Sequence, residues 1–185
     1  MTLDAGSHGL TAAHRRFLIR DAFVIAAVAN AALNAFFAWA FTLGEESVPL
    51  IAVPLVEGPS VITDTVGTFF VLTFLTTLAI TTGVWHQMRA GHLTSLRHAP
   101  GSFADRLPDT RLRRALRLGL LCMLVLGPVA VIVLAVLDFG DLAIGEFVTY
   151  KAIFGVLLGA LVTPLIAMVA FGDDPPPTPQ ERPAD

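Results

Sequence analysis

The chain has 185 residues, 55% of them hydrophobic and only 15% charged, with a formal net charge of −3 and a mean hydropathy of +0.72. Soluble domains carry about 25% charged residues, so this chain has too little polar surface to cover a water-soluble globule. A helical span needs about 20 apolar residues, which leaves room for one membrane domain and no second one. Cys122 is the single cysteine and lies in an apolar run, which excludes an intrachain disulfide framework and a CxxC redox pair. It reads as a small buried hydrophobe.

In chain order, residues 1–14 read as a disordered N-terminus, 15–172 as the membrane domain and 173–185 as a disordered tail, because GDDPPPTPQERPAD has nothing to bury and cannot be helical through its prolines. A polyproline docking segment is the alternative for the tail. Four apolar segments of near-spanning length lie between, at about Phe17 to Leu43, Thr63 to Trp85, Leu116 to Leu137 and Phe147 to Phe171. The expected fold is therefore an all-α membrane protein, a four-helix bundle of antiparallel neighbours. A cleaved signal peptide is the rival reading of the first segment, with small-residue sites at Ala27, Ala29 and Ala31. The segment runs on through Phe36, Trp39 and Phe41, as a retained helix requires.

Charge alternates between the connections. The first, LGEESVPLIAVPLVEGPS, and the third, DFGDLAIGE, carry acids and no Lys or Arg. The second, from His86 to Leu112, carries Arg89, Arg97, Arg106 and Arg111, and Arg113, Arg114 and Arg117 follow; Arg15, Arg16 and Arg20 precede or open the first segment. Cytoplasmic loops retain Lys and Arg, so both ends and the second connection are expected inside. The arginine-rich connection is expected to face anionic lipid.

An internal duplication is also suggested. HRRFLIR opens the first helix and LRRALRL the third; LAITT lies as far beyond Asp64 in the second as ALVTP lies beyond Glu146 in the fourth. Two tandem hairpins in the same orientation would form a parallel repeat. The match is short, and apolar segments also resemble one another by chance.

Polar residues at depth cost free energy unless partnered, so function is sought there. Asn30 and Asn34, the only asparagines, stand at i and i+4 on a stripe with Ala26 and Ala38. They read as interhelical glue or as part of a site. Lys151, the only lysine, follows the only tyrosine, Tyr150; it either snorkels to headgroups or pairs with Asp64, less readily with Glu146 five residues before it. The second helix holds Thr63, Thr65, Thr68, Thr73, Thr76, Thr77, Thr81 and Thr82. These hydroxyls can bond back to their own helix, yet at least one set should meet other helices. Gly155 and Gly159, continued by Thr163, suggest close packing, and Pro164 a kink. The candidate polar cluster is Asn30, Asn34, Asp64, Thr68, Glu146, Tyr150 and Lys151.

No histidine lies within a segment, no HExxH or phosphate loop is present, and His86, His92 and His98 recur in a basic loop without a cysteine or a well-spaced carboxylate. No metal or other cofactor is expected, and no nucleophile and base form a set.

LNAFFAWAF, SVPL, DTVGTFFVLTFLTTLAITTGV with QMRAG, and YKAIFGVLLGALVTPLIAM resemble uncharacterised bacterial inner-membrane proteins of four helices, some labelled permease-like. The resemblance covers about Asn30 to Met88 and Tyr150 to Met168. It implies a bacterial cytoplasmic membrane and roles for Asn34, Asp64, Lys151 and Pro164. The leading expectation is a small transporter working as a homo-oligomer, because four helices leave little room for a pathway; the alternative is a non-transporting membrane subunit or interaction protein. Cysteine placed at Glu46 or Asp141 is expected to react with an impermeant thiol reagent from the periplasm, and cysteine at Ser102 is not; the reverse labelling pattern overturns the orientation.

Overall fold

The computed structural model describes residues 10–52, 58–96, 101–108, 110–138 and 140–173. Readings that rest on Glu57, Arg97, His98 or the proline-rich tail therefore lie outside the described residues. Four helices are long and apolar enough to cross a membrane: α1 (Ala12–Phe41), α2 (Val61–Arg89), α3 (Arg111–Leu137) and α4 (Ile144–Ala170). Each starts before its apolar segment does. In α1 and α2 the extra turn carries a side-chain cap, since the first backbone N–H groups of a helix have no partner inside it, whereas α3 starts at Arg111 without one. Thr11 Oγ1 accepts from His14 N at 3.4 Å, and Ser60 Oγ accepts from Thr63 N at 3.3 Å. Helix α1 thus begins inside the stretch expected to be irregular. Through Leu18–Ile25 it takes the wider π form, whose i→i+5 bonds accommodate the five-residue step between buried Phe17 and buried Ala22.

The packing order differs from the chain order. His14 meets Phe171 at one end of α1 and Asn30 meets Gly159 further along it, so α1 lies antiparallel on α4. Likewise Thr82 meets Arg111 and Phe70 meets Gly119, which places α3 antiparallel on α2. Between these two pairs α2 and α4 pack against each other in parallel, with Asp64 on Lys151 near their starts, Phe69 on Phe154 further along, and Val84 clustered with Ala167 toward their ends. A bundle made wholly of antiparallel neighbours is thereby corrected: consecutive helices α1 and α2, and α3 and α4, make few direct contacts, and the central pair is parallel.

The cause is side-chain size. A Cβ added at Gly155 would fall 2.6 Å from the Asn30 carbonyl oxygen, and one at Gly159 would fall 2.5 Å from Asn30 Nδ2. Only glycine lets α1 and α4 come this close, and an added methyl would force overpacking of about 1–3 kcal/mol. The helix continues through Pro164 to Ala170.

Two short strands, β1 (Ser47–Val48) and β2 (Leu142–Ala143), pair antiparallel and tie the two acidic connections together at one end. Beneath them Ala38, Val61, Leu134 and Phe147 pack as one apolar cluster; Phe69, Leu72 and Leu158 form a second; Phe17, Val84, Ala167 and Phe171 form a third at the basic end. The outer faces are apolar as well, α3 most of all, with Leu124, Ile132 and Val136 exposed.

Candidate functional site

One turn into α2 and two into α4, Asp64 and Lys151 come together as an ion pair. The lysine is buried, with 2% of its side chain exposed, whereas Asp64 keeps 27%. Lys151 Nζ also donates to Thr68 Oγ1, which in turn donates to the Asp64 carbonyl at 2.7 Å. The ring of Phe154 lies 5.5 Å from the ammonium and covers its other side. An aromatic face is a favourable neighbour for a cation out of water. Snorkelling is thus not the geometry of Lys151: its stem runs into the contact between α2 and α4.

Glu146 stands apart from this group. Its carboxylate accepts from the Ala143 N–H at 3.0 Å, an exposed cap at the start of α4, because its position on the helix points it away from Lys151. Tyr150 reaches across to α2, its hydroxyl 2.8 Å from Thr65 Oγ1.

Asn34, Asp64, Thr68 and Lys151 line one groove of about 290 Å³ between α1 and α2, with Leu33 and Phe37 on its rim. The groove exists because α1 and α2 lean on α4 and not on each other. Asn30 lies one turn deeper. Its Oδ1 accepts from Thr76 Oγ1 at 3.2 Å, and its carbonyl accepts from Asn34 Nδ2 at 3.0 Å. Both asparagines are buried against α4. Asn30 Nδ2 and the hydroxyls of Thr81 and Thr163 are buried without a hydrogen-bond partner among the described residues.

The threonines of α2 divide by role. Thr77 and Thr82 bond back to the carbonyls of Thr73 and Leu78, at 2.7 and 2.6 Å. Thr65 and Thr76 instead cross to other helices.

A second polar assembly sits at the basic end and was not singled out from sequence. Arg114, 4% exposed, grips Asp173 with both terminal nitrogens at 2.5 and 2.7 Å, while its Nε donates to the Pro108 carbonyl at 3.2 Å. Trp85 Nε1 donates to the same carboxylate at 3.1 Å. Buried His14 bridges Thr11 Oγ1 at 2.6 Å and the Thr94 carbonyl at 2.9 Å. Asp173 opens the stretch expected to be a tail, and Arg114 is one of several arginines close together in the chain; only three-dimensional proximity distinguishes them.

Among the described residues no three His, Cys, Asp or Glu side chains come together as metal ligands. No protein-family model, curated protein or solved structure matches the chain, so the site is read from its own chemistry.

Removing one member of a buried ion pair leaves the other charge stranded, at a cost of about 3–5 kcal/mol; partial exposure of Asp64 lowers this. Asp64→Asn, which strands the buried ammonium, is expected to cost about 3 kcal/mol of stability in detergent. Lys151→Met, which strands a carboxylate that water can reach, should cost less. The double variant should be more stable than Asp64→Asn alone. Additive losses in this cycle would show that the two charges are not coupled.

Proposed function

We propose that the chain is a small transporter or permease of the bacterial inner membrane, working as an oligomer, with both ends and the arginine-rich connection on the cytoplasmic side. The observation that carries this reading is the buried Lys151, held by Asp64 at the wall of a groove. An intramembrane ion pair is costly to keep and is characteristic of substrate and ion pathways. This one can exchange partners: a ligand carboxylate can replace Asp64 on the ammonium, and a ligand ammonium can replace Lys151 on the carboxylate. A small zwitterion supplies both charges at once. Under the proposed orientation the site lies in the periplasmic half.

The helix arrangement supports the reading of two tandem hairpins. Each hairpin gives one helix to the central α2–α4 pair and one to the outside, α1 on α4 and α3 on α2, and β1 pairs with β2, as two hairpins in parallel repeat would; an offset of 82 residues aligns LAITT of α2 with ALVTP of α4. In that register Asp64 corresponds to Glu146, and Thr81 to Thr163, both buried. Lys151 corresponds to Phe69. The ammonium is therefore in one hairpin only, which makes a single such site per chain.

A second reading, a non-transporting membrane subunit or interaction protein, is favoured by a different observation. Asn34, Thr42, Thr68 and Thr77 satisfy themselves on carbonyls of their own helices, as residues do that only tolerate lipid. Uptake into proteoliposomes of isotope-labelled amino acids, small carboxylates and organic amines separates the two. The transport reading expects at least one compound to enter faster than into protein-free vesicles, and Lys151→Met to abolish that entry. Folded wild-type protein inert to the whole panel would favour the second reading.

A further inference from the structure

A larger groove, of about 650 Å³, runs on the opposite side of the molecule between α3 and α4, the other pair of consecutive helices that do not pack together. Its walls are Leu121 and Val125 of α3 and Leu161 and Leu165 of α4, all exposed, and Thr73 of α2 lies at its floor. Toward the basic end Ser102, Phe103 and Ala104 of the second connection close over it. The groove is thus an apolar slot running along the helices, stopped at one end.

That end is positively charged. Arg106 follows Ala104 by two residues, and Arg117 stands one helical turn before Leu121; both are exposed. The Arg117 guanidinium lies 3.5 Å from the Arg106 carbonyl, which holds the two residues beside each other. Arg113 is exposed one turn further on. The neighbouring Asp105 carboxylate accepts from the Gly101 N–H at 2.9 Å. The neighbouring Arg111 and Arg114 are engaged with Thr82 and Asp173.

We propose that this groove holds an acyl chain of an anionic phospholipid whose phosphate headgroup rests on Arg106 and Arg117. An apolar slot at bilayer depth suits a chain, and guanidinium groups at headgroup level suit a phosphate. A second copy of this chain suits it less well. Two copies related by an axis along the membrane normal would present the same patch to each other, bringing both sets of arginines together at the same end. The inference does not depend on transport. It needs only that the four helices lie in a bilayer.

Native mass spectrometry of the intact protein, delipidated and titrated with phosphatidylglycerol or with phosphatidylcholine of the same chains, tests this. Wild type should bind phosphatidylglycerol more tightly, and Arg106→Gln and Arg117→Gln should each reduce that preference by about fivefold. Leu121→Trp, which fills the slot, should weaken both lipids while leaving the oligomeric state as in wild type. Equal affinity of wild type for the two lipids would overturn the proposal. So would a Leu121→Trp protein that changes oligomeric state but binds lipid as before, since the groove would then be an interface between copies.

Discussion

Lys151 carries the only ammonium side chain of the protein, and the contact between α2 and α4 is organised around where that charge is held. In lipid an ionised group has no water to bond, so a lysine at this position either stretches to the headgroups or finds its partners within the protein. Here Asp64 supplies the counter-charge, Thr68 a hydrogen-bond acceptor and Phe154 an aromatic face. All three come from α2 or from the next turn of α4. The pair thereby joins the two central helices in a parallel orientation that no short connection dictates. Coulombic attraction is strong at low dielectric but is offset by desolvation, so the pair specifies which helices meet more than it adds to stability.

The other contacts follow the same logic with different chemistry. Hydrophobic burial cannot drive helices together in a medium as apolar as their own surfaces, so close packing and polar bonds must do so. On α1 and α4 close packing prevails: Gly155 and Gly159 admit Asn30 and Asn34, whose amides then reach Thr76 and the α1 backbone. At the basic end the prevailing contacts are polar, with Asp173 gripped by Arg114 and Trp85, and His14 tying the start of α1 to Thr94. One effect of leaving consecutive helices apart is two grooves. The first contains the charged pair; the second is apolar with arginines at its end.

Much of the fold was legible in the sequence because lipid imposes a length and a composition on every span. Four apolar stretches gave four helices, with ends extended by capping residues such as Ser60 that lie outside any hydropathy pattern. Which helices pack was not legible in the same way. Short connections favour sequential pairing, while the observed pairing depends on glycine stripes and on one ion pair, features that identify a sticky face without naming its partner. The π segment at Leu18–Ile25 carries no proline or glycine to announce it. In the site, the uniqueness of Lys151, Tyr150 and the two asparagines marked them, and helical geometry favoured Asp64 over Glu146 as the partner. The Arg114–Asp173 pair was hidden because the sequence offers many arginines and places Asp173 beside a proline-rich stretch.

The central claim is that Lys151 points into the protein and not toward the membrane surface. Because it is the only lysine, its accessibility can be read without mutation. The intact protein in lipid vesicles is treated with a membrane-permeant acetylating ester, and acetylation at Lys151 is followed over time by peptide mass spectrometry against the same protein in denaturant. The account predicts that Lys151 stays unmodified in the bilayer while the denatured chain is fully acetylated. Acetylation in the bilayer at the denatured rate would contradict it, and would return Lys151 to the membrane surface.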